Sequence, residues 1–351
     1  MKRVLLAVLA ATAVAWLLPT GADAALNMTY QGFNFSHQGY DYAPSIVRDA
    51  AAGQWVMYEC GVYTGSDGYS GDGIFRSTSG DGVNWSSPRI ALTVGASGAW
   101  DDRHVCDPSV LQNVGGHRWA MWYTGIHGRG TASAGPNAVG VAFSDDGITW
   151  TRSSTPAVDC AALITPGQDA WGCGQPSVVW DAGASVYRMS HTEFLCTDAA
   201  CRQNRLMVSA DGIVWQDDRS APPFVMPQLS VGPDFVRGAD GWWYAVMGGN
   251  TDCGRHPGTL ASELVVYRSP TMWADASAVT QVGCLGYSDM KLHKRSAGRY
   301  VAEQGFFRTG TGNQPLASPT STTRVWLGFG LAFNQYHDPS EEIRGVVLNL
   351  G

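Results

Sequence analysis

The sequence predicts an all-β protein, a five-bladed β-propeller with about four antiparallel strands in each blade. The first observation is a phrase of the form S-x-D-G-x-x-W at Ser79–Trp85, Ser144–Trp150 and Ser209–Trp215, each copy beginning 65 residues after the last. The second is composition, since the chain has 43 glycines and 11% aromatic but only 15% charged residues. The third is the lack of helical periodicity beyond the N-terminus. A fixed period with turn-rich, aromatic units is typical of sheets repeated around an axis.

The first 24 residues predict a signal peptide that precedes the fold. Lys2 and Arg3 begin it, an apolar stretch follows at Val4–Leu18, and Ala22–Ala24 has the small-residue pattern of a cleavage site. The apolar stretch has about 15 residues, whereas about 20 are needed to cross a bilayer. We therefore expect a secreted protein, extracellular or periplasmic, with residues 25–351 as one propeller domain that does not enter a membrane.

The charge pattern argues against a nucleic-acid-binding protein. The formal net charge is −7, and the basic residues do not cluster. We expect a monomer that binds no nucleic acid.

The chain contains eight cysteines, all of them after the signal peptide. An even number in an exported chain predicts disulfides, although the connectivity cannot be deduced from spacing alone. Pairing each cysteine with its neighbour gives Cys60–Cys106, Cys160–Cys173, Cys196–Cys201 and Cys253–Cys284. No pair has the C-x-x-C spacing typical of zinc sites, so we expect no metal–thiolate centre.

Each predicted unit begins with an apolar strand, and in four units this strand contains a proline. These strands are Ala43–Val47, Asp107–Leu111, Gln175–Val179, Gly232–Val236 and a degenerate fifth, Asp289–Leu292. An aromatic-rich second strand follows in each unit. The second strands are Trp55–Glu59, Trp119–Tyr123, Tyr187–His191, Trp242–Val246 and Tyr300–Glu303. A third strand then leads to the S-x-D-G-x-x-W phrase, which in the fourth unit has become Ser269–Trp273.

The repeated phrase predicts an outer hairpin turn with a structural role. Asp-Gly favours a tight turn, the aspartate carboxylate can accept backbone N–H bonds, and the tryptophan can pack between blades. We do not expect Asp81, Asp146 or Asp211 to be catalytic, because their repetition indicates a blade-building role.

The two ends of the chain predict how the ring closes. Asn27–Phe35 and Val346–Leu350 both have the character of strands. A closed ring leaves few exposed sheet edges, so we expect one of these segments to complete a blade begun at the other end.

The entrances of the first strands predict where the chemistry lies, because the innermost strands of a propeller surround a central channel. Polar residues occur at these entrances and at the ends of the second strands. They are Asp41, Asp107, Gln175, Asp234 and Asp289 for the first strands, and Glu59, Tyr123, His191, Glu193 and Glu303 for the second. Neighbouring carboxyl groups cannot all ionise freely, so their pKa values diverge. Glycoside hydrolysis needs such a pair, one group acting as acid and the other as base or nucleophile.

The five-unit plan, the phrase Asp107–Val110 and the turn Ser144–Trp150 resemble the five-bladed glycosidases of glycoside hydrolase families 43, 62, 32 and 68. The resemblance covers essentially the whole mature chain and implies a secreted glycosidase that binds an oligo- or polysaccharide. It also implies an inverting reaction with Asp41 as the base, Asp107 as the carboxylate that orients, and Glu193 as the acid. The implied substrate-binding residues are Gln175, Asp234, Asp289, Tyr123, His191, Glu59 and Glu303.

The chain departs from the family pattern in two places. Family 43 has an aspartate directly before the proline of its first blade, where this chain has Ala43. The glutamate of its fourth-blade Glu-Gly-Pro phrase is replaced by Val231, and Glu193 is taken as the substitute. These departures predict a distant member of the superfamily, acting on a furanoside such as an arabinan.

Other functions stay open on the sequence alone. The missing family acid is consistent with a lectin-like propeller that binds carbohydrate without cleaving it. A sialidase-like enzyme would need arginines for a substrate carboxylate, for which Arg48, Arg103, Arg205 and Arg237 are candidates, but five units fit that family poorly. A transfructosylase shares the fold and the acids. We expect no required cofactor, although converging oxygens at the axis suit Ca²⁺ or Na⁺.

Overall fold

The computed structural model describes residues 27–35, 40–130, 134–168, 170–196, 202–218, 232–238, 241–249, 253, 263–272, 278–286, 300–309, 324–332 and 342–349. This part of the chain is almost entirely β, with twenty strands and a single 3-10 turn at Ala161–Leu163. No α-helix occurs in these ranges, and so none that could cross a membrane.

The strands hydrogen-bond into three sheets, and along the chain they fall into five successive groups, called units I to V. The chain begins with β1 (Asn27–Phe35). Unit I contains β2 (Asp41–Asp49), β3 (Gln54–Thr64), β4 (Ser70–Ser79) and β5 (Arg89–Leu92). Unit II contains β6 (His104–Val114), β7 (His117–Ile126), β8 (Asn137–Ser144) and β9 (Thr151–Arg152). Unit III contains β10 (Gly172–Asp181), β11 (Val186–Phe194), β12 (Arg202–Ser209) and β13 (Gln216–Asp217). Unit IV contains β14 (Asp234–Arg237), β15 (Trp243–Gly249), β16 (Glu263–Ser269) and β17 (Thr280–Gly286). Unit V contains β18 (Tyr300–Thr309), β19 (Arg324–Ala332) and β20 (Glu342–Asn349).

The first strands of successive units follow one another around a closed ring. Within each unit, neighbouring strands pair in antiparallel order. Strand β2 contacts β6, β6 contacts β10, β10 contacts β14 and β14 contacts β18. Strand β18 then runs parallel to β2, with Phe307 opposite Ile46. The beginnings of the first strands therefore meet at one end of a common axis.

The ends of the chain close unit V together. Strand β1 pairs in antiparallel register with β20, from Asn27 opposite Asn349 to Phe35 opposite Ile343. It thereby supplies a fourth strand to the unit formed by β18, β19 and β20. The prediction that one terminal segment completes a blade begun at the other end is confirmed.

The fifth unit differs from the sequence prediction in the order of its strands. Tyr300–Glu303 was expected in a second strand, but β18, which contains it, lies beside β2 in the position of a first strand. The expected first strand, Asp289–Leu292, lies outside the described residues. Alternation of side chains identifies a strand but not its place in a sheet, because that place depends on which edge it pairs with.

The S-x-D-G-x-x-W phrases form turns that are held by the aspartate side chain. In the second copy, Asp146 Oδ1 accepts hydrogen bonds of 2.7 Å from the backbone N–H groups of Ile148 and Thr149. Ser144 Oγ accepts the N–H of Gly147, whose φ of 70° suits glycine. The other two copies repeat these bonds around Asp81 and Asp211.

The second and third turns pack against the preceding unit. Tyr58 of unit I donates a 2.7 Å hydrogen bond to the carbonyl of Gly147 in unit II, and Trp150 meets the Tyr58 ring edge to face. In the same way, Trp122 of unit II donates to the carbonyl of Gly212 in unit III. The expected packing of these tryptophans between units is confirmed for Trp150, and Trp215 repeats it against Trp122.

The hydrophobic core lies between the units. One buried cluster joins Val56 and Tyr58 of unit I to Trp119 and Met121 of unit II. A second joins units II and III, and a third joins units III and IV. Because each sheet is covered by its neighbours, the units depend on one another for burial of their apolar faces.

Three predicted disulfides are confirmed, and they are Cys60–Cys106, Cys160–Cys173 and Cys253–Cys284. Cys196 is also disulfide-bonded, but its expected partner Cys201 lies outside the described residues. Cys60–Cys106 joins unit I to unit II directly beside Asp107.

Candidate active site

A bulge marks the beginning of the first strands. The pairing with the second strand shifts where the residue before proline and the proline itself stand, in units I, II and III. The residues before proline have left-handed backbones, with φ of 51° at Ala43, 50° at Asp107, 55° at Gln175 and 58° at Gly232. A residue before proline normally favours an extended backbone. The left-handed conformation is strained for three of these residues, and strain of this kind clusters at functional sites.

The bulges surround a cavity at the axis. Its lining consists of residues 43–45, 107–109, 175–177, 232–234 and Arg308. Asp107 and Gln175 line it with small exposed fractions of 9% and 8%. The structure therefore brings together Asp107, Gln175 and Asp234, three of the residues that the sequence placed at the axis.

Serines after the prolines link each unit to the next. Ser45 Oγ accepts the N–H of Val110, 3.1 Å away, and Ser109 Oγ accepts the N–H of Val178, 2.9 Å away. Ser177 Oγ continues the series by accepting the N–H of Phe235. Because each bond joins neighbouring first strands directly behind the bulges, the series holds the cavity-lining residues at fixed spacing.

Asp234 is neutralised within the cavity by Arg308. The Arg308 guanidinium forms an ion pair with Asp234 and donates a 2.9 Å hydrogen bond to the carbonyl of Val178. Ser177 donates a further hydrogen bond of 2.7 Å to Asp234. Burial lowers the pKa of Arg308 to about 9, so the guanidinium remains charged at neutral pH. Sequence reasoning missed Arg308, because nothing in the pattern of β18 distinguishes it from other arginines in strands.

Glu193 lies on the second strand of unit III and is surrounded by donors. His191 Nε2 lies 3.1 Å and Gln203 Nε2 2.8 Å from its carboxylate, and Arg205 Nε lies at 3.5 Å. Burial acts to raise the pKa of Glu193, but the hydrogen bond and charge of His191, the bond from Gln203 and the charge of Arg205 outweigh it. The pKa of Glu193 is therefore held below its ordinary value. This environment favours the carboxylate, whereas a general acid must be protonated.

Asp41 and Glu59 form a buried acidic pair in unit I. Both side chains belong to fully buried residues. Burial, and after it the charge of Asp41, raise the pKa of Glu59 well above its ordinary value. Neither carboxyl oxygen of Glu59 has a hydrogen-bond partner within the described ranges. Glu59 is therefore a carboxyl group that keeps its proton to higher pH than an exposed glutamate does.

Tyr123 and His191 take part in packing and hydrogen bonding away from the cavity lining. Tyr123 is fully buried, donates a 2.8 Å hydrogen bond to Asp101 and stacks on Trp100. Burial and the charge of Asp101 raise the pKa of Tyr123 above its ordinary value. His191 is only 1% exposed and faces Glu193. Their roles as substrate-binding residues stay predictions.

The remaining candidates belong to unit V. Asp289 lies outside the described residues. The pairing of β18 with β19 shifts between Ala302 and Gln304, so an irregularity in the ladder lies at Glu303. The sequence analysis placed Glu303 at the end of a second strand, because unit V has no proline to mark the first one.

Comparison with known proteins rests on structure alone, since no family model and no curated protein matches the sequence. A fructofuranosidase variant from Schwanniomyces occidentalis in complex with fructosylnystose has a TM-score of 0.60 and 14% identity over 90% of this chain. The chain spans 58% of the length of that enzyme. The catalytic domain of a family 62 α-L-arabinofuranosidase from Coprinopsis cinerea has a TM-score of 0.56 and 10% identity, covering 93% of this chain and 97% of that one.

The chain has the fold of the β-propeller glycoside hydrolases. An exo-inulinase from Aspergillus awamori is similar as well, with a TM-score of 0.56, 13% identity and coverage of 89% of this chain and 62% of that one. The expected likeness to glycoside hydrolase families 32 and 62 is thus found at the level of the fold.

Proposed function

We propose that this protein is a secreted glycoside hydrolase built on a five-bladed β-propeller, with its active site at the axial cavity. The observation that carries the proposal is Asp107, a carboxylate on a strained bulge that lines this cavity. The cavity has the features expected of a ligand site, because a few polar groups converge in a concave region at the end of several strands. Hydrolysis needs only carboxyl side chains and water. An axial Ca²⁺ or Na⁺ would not be required for it.

We propose a furanoside as the substrate, with arabinofuranosides and arabinan first and fructans second. The support comes from the fold, since the similar structures are described as a fructofuranosidase, an arabinofuranosidase and an exo-inulinase. All three names denote enzymes that act on sugars with five-membered rings. A panel of arabinan, fructan and xylan fragments separates the alternatives by their products.

The proposed roles follow the three carboxylates of the resembling families. Asp107 orients the substrate in the cavity. Asp41 and Glu193, which lie outside the cavity lining, act as the base on a water molecule and as the acid, in an inverting reaction. The donors around Glu193 confine this mechanism to acidic pH, because the acid must carry its proton. Glu59 is the alternative acid, since its pKa is raised.

The experiment measures hydrolysis of the panel by Asp107→Asn, Asp41→Asn, Glu193→Gln and Glu59→Gln variants. Asp107→Asn should lower kcat/KM by about 100-fold or more, because acid–base and charge effects at a reacting centre have this size. Asp145→Asn is the matched control, since this carboxylate is 85% exposed on an outer turn. Full activity of Asp107→Asn on every cleaved substrate would exclude the proposed site.

The alternative is a propeller that binds carbohydrate without cleaving it. The observations in its favour are Ala43 at the first bulge and the environment of Glu193, which favours the ionised form. Binding of the same panel, measured by calorimetry with analysis of products, separates the two. Bound but uncleaved oligosaccharide across acidic and neutral pH would support the binding function.

A further inference from the structure

A second polar cluster lies beside the cavity, at the end of the ring where the first strands begin. At its centre is Asp72 of β4, which is only 5% exposed. Its carboxylate accepts hydrogen bonds from the hydroxyl groups of Tyr40 and Tyr42, the second at 3.3 Å. The two tyrosine rings lie 5.8 Å apart at the entrance of β2. A buried carboxyl group is therefore held by donors from a neighbouring strand.

His104, the first residue of β6, completes this cluster with a defined tautomer. Its Nδ1 lies 3.1 Å from the backbone N–H of Asp72, which donates to it, and 3.4 Å from the Asp72 carboxylate. The hydrogen bond that Nδ1 accepts favours the tautomer of the neutral ring that has its proton on Nε2. The side chain is 28% exposed, and no described residue accepts a hydrogen bond from Nε2. The ring thus has an oriented donor available to a ligand.

The neighbouring loop is packed tightly against the cluster. Tyr69 donates a 2.6 Å hydrogen bond to the carbonyl of Arg103, the residue before His104. Gly71 approaches so closely that a β-carbon there would lie 2.7 Å from the same carbonyl. The Arg129 guanidinium lies over the Tyr69 ring at 4.3 Å. These contacts fix the position of His104 before any ligand arrives.

The cluster lies nearer the beginnings of the first strands than the cavity does. His104 precedes Asp107 by three residues on the same strand, which corresponds to about 10 Å along an extended backbone. Tyr40 is half-buried at the matching entrance of β2, three residues before Ala43. The cluster therefore lies beside the cavity and not within its lining.

We propose that Tyr40, Asp72 and His104 form a subsite for a neutral sugar residue next to the one bound in the axial cavity. His104 Nε2 donates to a sugar hydroxyl, the Tyr40 ring covers the sugar face, and Asp72 holds both in place. This inference rests on the proposed carbohydrate substrate and names the part of an oligosaccharide that the cluster recognises.

The test compares two substrates in the full mature protein. His104→Ala should raise KM for an arabino-oligosaccharide by about 3- to 10-fold, the size expected for one hydrogen bond. It should change kcat/KM for an aryl arabinofuranoside less, because the aryl group that would lie in the subsite has no hydroxyl group to accept a hydrogen bond from Nε2. Equal effects on both substrates would overturn the subsite. His104→Gln should restore part of the loss, since its amide can donate in place of Nε2.

Two further measurements keep the outcome decisive. His117→Ala is the matched control, because this histidine is 44% exposed at the opposite end of β6 and β7. Tyr40→Ala tests the same subsite independently if His104→Ala does not fold, and it should raise KM for the oligosaccharide alone.

Calorimetric binding to the Asp107→Asn variant, with and without His104→Ala, separates this inference from the proposed function. Weaker oligosaccharide binding caused by His104→Ala supports the subsite even if no substrate is cleaved. Unchanged binding together with cleavage by the wild-type protein would overturn the subsite alone. Absence of any glycan binding by the wild-type protein would overturn both proposals.

Discussion

At the scale of the residue, the environments of Glu193 and Glu59 shift their proton affinities in opposite directions. Glu193 is surrounded by His191, Gln203 and Arg205, which favour its carboxylate. Glu59 has no hydrogen-bond partner within the described part of the chain and faces the charge of Asp41, which favours its protonated form. Pairs of carboxyl groups whose pKa values are driven apart are the usual source of an acid and a base.

The first prediction concerns Arg205. Arg205→Gln removes a positive charge that lowers the pKa of Glu193, so the pKa should rise. If Glu193 is the general acid, activity is lost as pH rises through this pKa, and the variant should stay active to higher pH. The pH dependence of kcat/KM on an arabinofuranoside measures the shift.

Arg188→Gln is the control for this experiment, because Arg188 lies in the same unit but pairs with Asp181 and Asp218. The acid role would belong to Glu59 instead if two results are obtained. The pH at which kcat/KM falls on the alkaline side would be unchanged in Arg205→Gln and would be lower in Glu59→Gln.

At the scale of the element, the repeated turn and the neighbouring strands show how units are joined. The aspartate of each turn satisfies two backbone N–H groups, and the glycine carbonyl of the second and third copies accepts a side-chain hydrogen bond from the unit before. The turn is therefore a local structure that also serves as a contact between units.

The second prediction concerns this turn. Asp146→Ala removes an acceptor of two backbone hydrogen bonds and should lower the free energy of unfolding by about 1 kcal/mol. The N–H groups of Thr149 and Ile148 lower the pKa of Asp146 from 3.8 to about 2. The stabilisation is thus complete above about pH 4 and is lost as pH falls towards 2. Urea unfolding across this range measures it.

Asp145→Ala is the matched control for the turn, because the neighbouring carboxylate is 85% exposed and makes only a 3.7 Å contact with His117. Equal stability losses for the two variants would contradict the role given to Asp146.

The third prediction separates a structural from a functional role for Tyr123. Tyr123→Phe leaves Asp101, which is fully buried, with one hydrogen bond fewer and should cost about 1–3 kcal/mol of unfolding free energy. Substrate KM should not change, because the phenol is bound to Asp101 and not to the cavity. Tyr187→Phe, whose hydroxyl is exposed, should be nearly neutral. A raised KM with unchanged stability would restore the substrate-binding role of Tyr123.

At the scale of the whole molecule, the ring is closed by the two ends of the chain. Strand β1 covers the outer edge of β20, which would otherwise present unpaired backbone groups. Unit I and unit V are also joined through β18 and β2. The first and last segments of the fold therefore stabilise each other.

The fourth prediction follows from this closure. A protein that begins after Phe35 should melt at a lower temperature and aggregate, because β20 becomes an open edge strand. A protein that begins at residue 25 retains β1 and serves as the control. Thermal unfolding followed by light scattering measures both effects, and equal melting temperatures would show that β1 contributes little to the ring.

Much of the fold could be predicted from short segments, and much of the site could not. The repeated turns, the bulges at Ala43, Asp107 and Gln175 and three disulfides all occur where the sequence pattern placed a turn, a proline strand or a neighbouring cysteine pair. The environment of Glu193 involves residues of a paired strand, and the first-strand position of β18 depends on the edge it meets. Neither the environment of Glu193 nor the position of β18 can be inferred from the spacing of residues within one repeat.

The sequence by itself determined an all-β fold, the turn chemistry and Asp107 as a candidate at the axis, because turns and strand entrances are specified within a few residues. Only the tertiary structure showed that Arg308 forms an ion pair with Asp234, that Tyr123 donates a hydrogen bond to Asp101 and that His104 contacts Asp72. The hydrogen bond from Arg308 to Val178 joins residues 130 positions apart. Charges and hydrogen-bond partners at such separations depend on how the ring closes, and no pattern within one repeat contains that information.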